Sequence, residues 1–292
     1  MNTPFRKLFI TLMTMLVIAG VVSACMLQGW FVKKYEPNEL AELLSPHFRV
    51  YRPPQKGLFP TVVGFHGCRG INDGTEEWMK YFVDQGYAGI LVDSFAFRHL
   101  NTDSVCSGRA LWGSERAGDL VVALDSIKAL PFVDPENIVL MGWSHGAWTI
   151  MDALALDPPR HLPTNLYHVP ENPLRGVKGV VLMYPYCGFP AEARNNGWDQ
   201  PLPALLIMAG RDTVVSTSDC VDIAQLLKQS DKPITTHIYP HALHAFDINK
   251  GRADKATLVD TRHRVSHFLA PLLGGDPCPA QGCRHSSRSD SE

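Results

Sequence analysis

Neither sign of charge dominates this sequence. Its 292 residues carry 27 Lys and Arg against 29 Asp and Glu, a formal net charge of −2. No basic stripe is present, which argues against a nucleic-acid partner and against a substrate selected by a long-range field. Charge is sparse, at 19% of residues, while 45% are hydrophobic, and that balance excludes a disordered chain. No internal repeat is found, so an architecture of stacked like units is excluded too. What remains is long enough for one large domain with a substantial core.

The first residues have a separate logic. Arg6 and Lys7 form a short positive region, and an apolar run from Leu8 to Val22 follows, broken only by Thr11, Thr14 and Gly20. The run reads as shorter than the roughly 20 apolar residues of a membrane span. It ends in Val22-Ser23-Ala24-Cys25, small residues before a cut, which is the layout of a secretory signal over residues 1–24. Val-Ser-Ala-Cys also resembles the lipobox of bacterial lipoproteins, which implies lipidation of Cys25 and a membrane tether at the new N-terminus. Ordinary secretion and an uncleaved anchor are the alternatives. Removing residues 1–24 takes away Arg6 and Lys7 and no acid, leaving 25 basic against 29 acidic residues and a charge of −4. Seven cysteines are present, Cys25, Cys68, Cys106, Cys187, Cys220, Cys278 and Cys283. Without Cys25 an even number remains, which suits disulfides in an exported protein.

Hydrophobic spacing then divides the chain. Residues 25–45 read as a tether with a helical piece at 37–44. Residues 46–273 read as one domain, and the polar, Ser- and Arg-rich residues 274–292 as a mobile tail. Within the domain, strands are expected at 47–51 (an edge), 61–65, 87–92, 137–141, 176–183, 204–208 and 234–239. Helices are expected at 76–85, 114–130, after Gly142, at 218–228 and at 253–273. Residues 98–113 read as a polar loop. Strands that are apolar throughout and alternate with helices imply an α/β fold, with a mostly parallel sheet covered on both faces. Residues 157–175 hold five prolines and no clear periodicity. A connection that long is either a lid or a solvated insertion.

One motif carries chemistry. Gly142-Trp143-Ser144-His145-Gly146 fits G-x-S-x-G between an expected strand and an expected helix. A nucleophile there stands on a sharp turn where side chains at the flanking glycines would strike neighbouring backbone. The helix N-terminus then points free N–H groups at charge developing on a substrate. A serine hydroxyl needs a base, and the base needs an orienting carboxylate. In this strand-turn-helix setting the chain order is Ser, acid, His. Asp212, in Gly210-Arg211-Asp212 just past the strand at 204–208, is preferred to Asp219 and Asp231, since reactive groups collect at the carboxyl ends of parallel strands. The base is His241 or His244, both just after the last strand, and position alone does not separate them. His241-x-x-His244-x-x-Asp247 also has a metal-ligand spacing, but it lies in a loop with no further cluster, so no metal is assigned. No cofactor is implied. For the oxyanion hole the candidate backbone donors are the N–H of His145 and that of Cys68, in His66-Gly67-Cys68-Arg69-Gly70.

Taken together, His66-Gly67-Cys68, Val92-Asp93-Ser94-Phe95, Gly142-Trp143-Ser144-His145-Gly146, Gly210-Arg211-Asp212 and Tyr239-Pro240 with His244-Ala245-Phe246 resemble the dienelactone hydrolase family of α/β-hydrolases, over roughly residues 48–273. The resemblance implies that fold and selects His244 over His241. One departure matters: dienelactone hydrolases proper use a cysteine nucleophile, and this chain has Ser144. The namesake reaction is therefore not carried over, and the resemblance implies hydrolysis of carboxylic esters in general. Placed on that fold, the cysteines are expected to pair as Cys68–Cys106, Cys187–Cys220 and Cys278–Cys283. Cys68 as a thiol nucleophile is the weaker alternative beside a complete serine site.

These readings describe a serine hydrolase acting on a small-molecule ester, outside the cytoplasm, with no nucleic-acid partner. Trp112, Trp143, Trp148 and Tyr186 suggest an apolar substrate site. The rival readings are a peptidase or amidase on the same triad, and a non-catalytic envelope lipoprotein that keeps the fold.

Overall fold

The structure is a computed structural model that describes residues 3–27, 31–248 and 255–274, with the side chains of Thr3, Ser23–Leu27 and Asn196 left outside the description. Cys25 therefore has a described backbone only, and the Cys278–Cys283 pair and residues 275–292 of the tail lie outside the described residues.

The strands are β1 (Phe48–Tyr51), β2 (Phe59–Phe65), β3 (Ala88–Val92), β4 (Val133–Trp143), β5 (Val177–Met183), β6 (Ala204–Ala209) and β7 (Ile234–Tyr239). They form one seven-stranded sheet in the order β1-β3-β2-β4-β5-β6-β7. Only β1 runs antiparallel, against β3; every other pairing is parallel. The helices are α1 (Thr3–Leu27), α2 (Pro37–Leu44), α3 (Asp73–Asp84), α4 (Thr102–Cys106), α5 (Gly113–Lys128), α6 (His145–Leu154), α7 (Ala193–Asn196), α8 (Thr217–Gln229) and α9 (Lys255–Leu273). Two apolar clusters sandwich the sheet. One joins α2, α5, α6 and α8 to alternate residues of the strands, and the other joins α3 and α9 to the opposite face. Strands β3 and β6 are buried at every position, which is why they are apolar throughout rather than alternating.

Four differences from the sequence reading have physical causes. The N-terminal helix is longer than the apolar run counted from Leu8: its apolar stretch is Pro4–Val22, 19 residues, none of it buried. That length meets the requirement of a span, contrary to the shorter run read from the sequence, and a signal sequence has the same character. Packing also begins before residue 46, because Tyr35, Leu40 and Leu44 are buried in the core. The polar loop at 98–113 contains α4, capped by the Asn101 side chain on the Ser104 N–H at 2.8 Å. Residues 157–175, finally, are pinned to the body: Leu166 bridges to Tyr35, and buried Asn165 donates to Asp119 at 3.2 Å.

Two disulfides join the expected partners, Cys68–Cys106 and Cys187–Cys220, at sequence separations of 38 and 33. Loop-closure entropy for spans of that size corresponds to about 4 kcal/mol each. Replacing both Cys187 and Cys220 by Ala is expected to lower the unfolding free energy by about that amount in urea titrations. An unchanged midpoint would contradict the bond.

Candidate active site

Strand β4 ends at Trp143, and α6 begins at His145, so Ser144 alone makes the turn. It does so at φ 53°, ψ −111°, in the left-handed region that a side chain disfavours. Its neighbours explain the glycines. A Cβ on Gly142 would lie 2.5 Å from the Ala147 nitrogen, and one on Gly146 would strike the Phe65 carbonyl oxygen. The Ser144 N–H donates to Met183 O at 2.9 Å, tying the turn to the end of β5. The first helical bond runs from Trp148 N–H to Ser144 O at 3.0 Å, so the His145 N–H lies ahead of the ladder.

Asp212 and His244 reach Ser144 from the adjacent strand ends. The loops after β6 and β7 are stitched together, with Gly210 N–H donating to Tyr239 O at 2.8 Å and Arg211 N–H to Ala242 O at 3.0 Å. That stitching sets His244 Nδ1 2.7 Å from Asp212 Oδ2 and His244 Nε2 2.9 Å from Ser144 Oγ. The carboxylate accepts from Nδ1–H, which leaves Nε2 as the acceptor for the serine hydroxyl. The other carboxylate oxygen of Asp212 accepts the N–H groups of Val214 at 2.8 Å and Val215 at 3.0 Å. Burial works to raise the Asp212 pKa, but the His244 bond and those two N–H groups outweigh it and hold the carboxyl below its ordinary value.

The competitors are placed elsewhere. His241 is exposed, whereas His244 is buried. Asp219 faces Arg194 at 3.6 Å, and Asp231 lies in the turn beyond α8. Asp247, the last member of the possible metal spacing, accepts from Trp78 Nε1 at 2.9 Å, Trp143 Nε1 at 3.0 Å and the Tyr184 hydroxyl at 2.5 Å. Burial raises its pKa, against the pull of those donors. The Tyr184 ring meets the His244 ring edge-on at 4.8 Å. Asp247 and Tyr184 thus brace the back of the His244 imidazole, a function the sequence reading missed; the signal was an acid three residues after His244.

The Cys68 loop passes against Ser144: a Cβ on Gly67 would sit 3.6 Å from the Ser144 Cβ. Below it lies Arg116, wholly buried on α5, also missed from sequence. Arg116 donates to His66 O at 2.7 Å and to Ser94 Oγ at 3.0 Å, and its Nη1 is 3.3 Å from His145 Nδ1. Burial, reinforced by the Arg116 charge, lowers the His66 pKa to about 4 and pushes that of His145 well below its ordinary value. His66 and His145 therefore stay neutral at physiological pH.

The cleft at Ser144 is lined on one side by Trp112, Trp148 and Tyr186 and on the other by Trp143 and Tyr184. Residues 157–175 border neither side. They frame a separate surface cavity of about 960 Å³ with Leu202 and Pro201, as a solvated insertion rather than a lid.

A mostly parallel sheet with a serine on a strained strand-to-helix turn, followed by an acid and a histidine on later strand ends, defines an α/β-hydrolase fold. The model of the dienelactone hydrolase family matches residues 48–273, and the chain belongs to that family. It is accordingly a hydrolase. Among solved structures, it is similar to a dienelactone hydrolase of Klebsiella pneumoniae described as putative, with 15% identity, a TM-score of 0.62, and coverage of 76% of this chain and 92% of that one. It is also similar to a thermophilic esterase of Thermogutta terrifontis solved with propionate bound, with 16% identity, a TM-score of 0.59, and coverage of 77% and 89%. Among curated proteins it is similar to dipeptidyl aminopeptidase B of Saccharomyces cerevisiae, 29% identical over 132 residues, 44% of this chain. The chain spans only 15% of that relative's length.

The neutral histidines generate a prediction. A histidine whose folded pKa is depressed adds stability that is complete above its unfolded pKa of about 6.5 and is lost as pH falls toward the folded value. For His66 the window runs from about 6.5 down to about 4, and the loss across it is on the order of 3 kcal/mol. Denaturant unfolding at a series of pH values is expected to show the midpoint falling through this window, with a shallower fall in His66→Gln. A wild-type midpoint that is flat from pH 7 to pH 4.5 would contradict burial of neutral imidazoles.

Proposed function

We propose that the chain hydrolyses carboxylic esters through an acyl-enzyme formed on Ser144, with His244 as general base and acid and Asp212 as its orienting partner. The carrying observation is the continuous hydrogen-bond line Asp212–His244–Ser144, at 2.7 and 2.9 Å, on a strained elbow.

In the first step His244 Nε2 takes the Ser144 proton while Oγ attacks the ester carbonyl. The carbonyl oxygen becomes an oxyanion facing the N–H groups of His145 and Cys68. One such donor contributes about 3 kcal/mol to the barrier reduction. His244 then gives its proton to the departing alcohol. In the second step water attacks the acyl carbon, its proton passes to His244 and on to Ser144, and the acid leaves. Asp212 holds the imidazole in the tautomer with an acceptor at Nε2 and stabilises the imidazolium that forms between the transfers. The depressed pKa of Asp212 suits this role, because the carboxylate stays charged throughout the neutral range.

Similarity to a dipeptidyl aminopeptidase supports a second reading, amide hydrolysis on the same residues. The open cleft, with no lid from residues 157–175, favours the ester, whose alcohol leaves more readily than an amine. The apolar N-terminal helix and the two disulfides support export of the protein, and the Val22-Ser23-Ala24-Cys25 motif supports Cys25 as the lipid attachment point.

Three measurements check these statements. Ser144→Ala is expected to lower turnover of p-nitrophenyl acetate about ten-thousand-fold or more with an unchanged circular dichroism spectrum, and Asp212→Asn about ten-thousand-fold. Near-normal rates in either variant would remove the triad. A matched ester and anilide pair is expected to favour the ester in kcat/KM, and a preference for the anilide would favour the peptidase reading. The mature N-terminus expressed in a bacterial host is expected to be a diacylated Cys25, lost in Cys25→Ala; an unmodified N-terminus by mass spectrometry would contradict the tether.

A further inference from the structure

Two cavities meet at Ser144. The larger, about 370 Å³, lies on the His145 side and is walled by Trp112, Trp148, Tyr186 and Phe189. The smaller, about 200 Å³, lies on the His244 side and is bordered by Arg69, Asn72 and Tyr184. Ser144, Val214 and both members of the Cys68–Cys106 disulfide border the two together, so they are lobes of one cleft.

Stereochemistry assigns the lobes. In the tetrahedral intermediate the acyl carbon bears Ser144 Oγ, the oxyanion, the leaving oxygen and the acyl chain. The leaving oxygen must come within hydrogen-bond reach of His244 Nε2, the group that protonates it. His244 borders the smaller lobe and not the larger. The alcohol therefore departs through the smaller lobe, and the acyl chain is directed into the larger. The size difference runs the same way: about 370 Å³ is within the range of ligand pockets, roughly 300–1,000 Å³, and about 200 Å³ is below it.

The lining then defines the acyl group. Among the described residues no Asp, Glu, Lys or Arg lines the larger lobe, which suits an uncharged chain. Its rings are fixed in place. The Trp112 indole donates to Gly108 O at 2.7 Å, the Tyr186 hydroxyl donates to Phe189 O at 2.6 Å, and the Trp148 and Tyr186 rings meet at 4.9 Å. Ordered ring faces and edges favour an aromatic guest over an alkyl one of equal area. We propose that this site selects esters of arylalkanoic acids with small alcohols, the aryl ring seated among Trp112, Trp148, Tyr186 and Phe189 and the alcohol beside Arg69 and Asn72. The proposal rests on the ester hydrolase reading above and adds its substrate class. Ser144 Oγ bonds to the arylalkanoyl carbon as the bond to the alkoxy oxygen breaks. The serine proton leaves on the alcohol, and water later supplies the hydroxyl of the free acid and returns a proton to Ser144.

Methyl hydrocinnamate and phenethyl acetate are constitutional isomers that place the same phenyl ring on opposite sides of the ester. The purified mature protein is expected to prefer methyl hydrocinnamate in kcat/KM by about tenfold or more, the scale of discrimination in an apolar pocket. Phe189→Ala, a substitution at an exposed rim position, is expected to reduce that ratio several-fold. A ratio near one, a preference for phenethyl acetate, or a ratio unchanged in Phe189→Ala overturns the lobe assignment. If neither isomer is cleaved while p-nitrophenyl acetate is still turned over in a Ser144-dependent way, the substrate class fails and the hydrolase reading stands. If no ester is turned over through Ser144, the reading beneath it fails as well.

Discussion

Ser144 is held at a left-handed φ of 53° because β4 and α6 meet with a single residue between them. Such a conformation costs on the order of 1–3 kcal/mol and persists only where the surroundings over-determine it. Here Gly142 and Gly146 let Ala147 and Phe65 approach to distances that no side chain would tolerate, and Met183 takes the serine N–H. The same turn puts Ser144 at the end of β4, directly ahead of the first turn of α6. The rest of the site is arranged to meet that fixed hydroxyl.

Supports converge on it from opposite faces of the sheet. On one face Arg116 pins the carbonyl before Gly67 and Cys68, and the Cys68–Cys106 disulfide ties the same loop to α4. On the other, Asp247 gathers Trp78, Trp143 and Tyr184, and Tyr184 packs against the His244 ring. Arg116 is wholly buried and bonded through Nε and Nη1, and half-buried Asp247 has donors on both carboxylate oxygens. They anchor the loop beside Ser144 and the His244 ring, the two parts that the elbow itself does not fix.

Much of this was legible in the sequence because it is local or periodic. The elbow is five consecutive residues, the buried strands are short apolar runs, and the order Ser, Asp, His follows from the fold. Position failed at His241 and His244, which are three residues apart in one loop; burial and the geometry of Asp212 distinguish them, and only a family likeness carried that information in the sequence. Arg116 as a site residue and Asp247 as a brace were not legible, because their partners are 50 and 104 residues away in the chain. A charged residue in an amphipathic stretch reads as solvated until the packing is known. Helix α4 was missed because five residues carry too little periodicity, and α1 was underestimated because the flanking polar residues were not counted into the helix.

The central claim is that the Ser144 hydroxyl is a nucleophile made reactive by His244. It is tested most directly by incubating the mature protein with a fluorophosphonate and locating the adduct by peptide mass spectrometry. A single stoichiometric phosphonyl group on the peptide containing Ser144, formed far more slowly in His244→Ala, is the predicted result. A protein that remains unlabelled, or is labelled at another residue, would contradict the account.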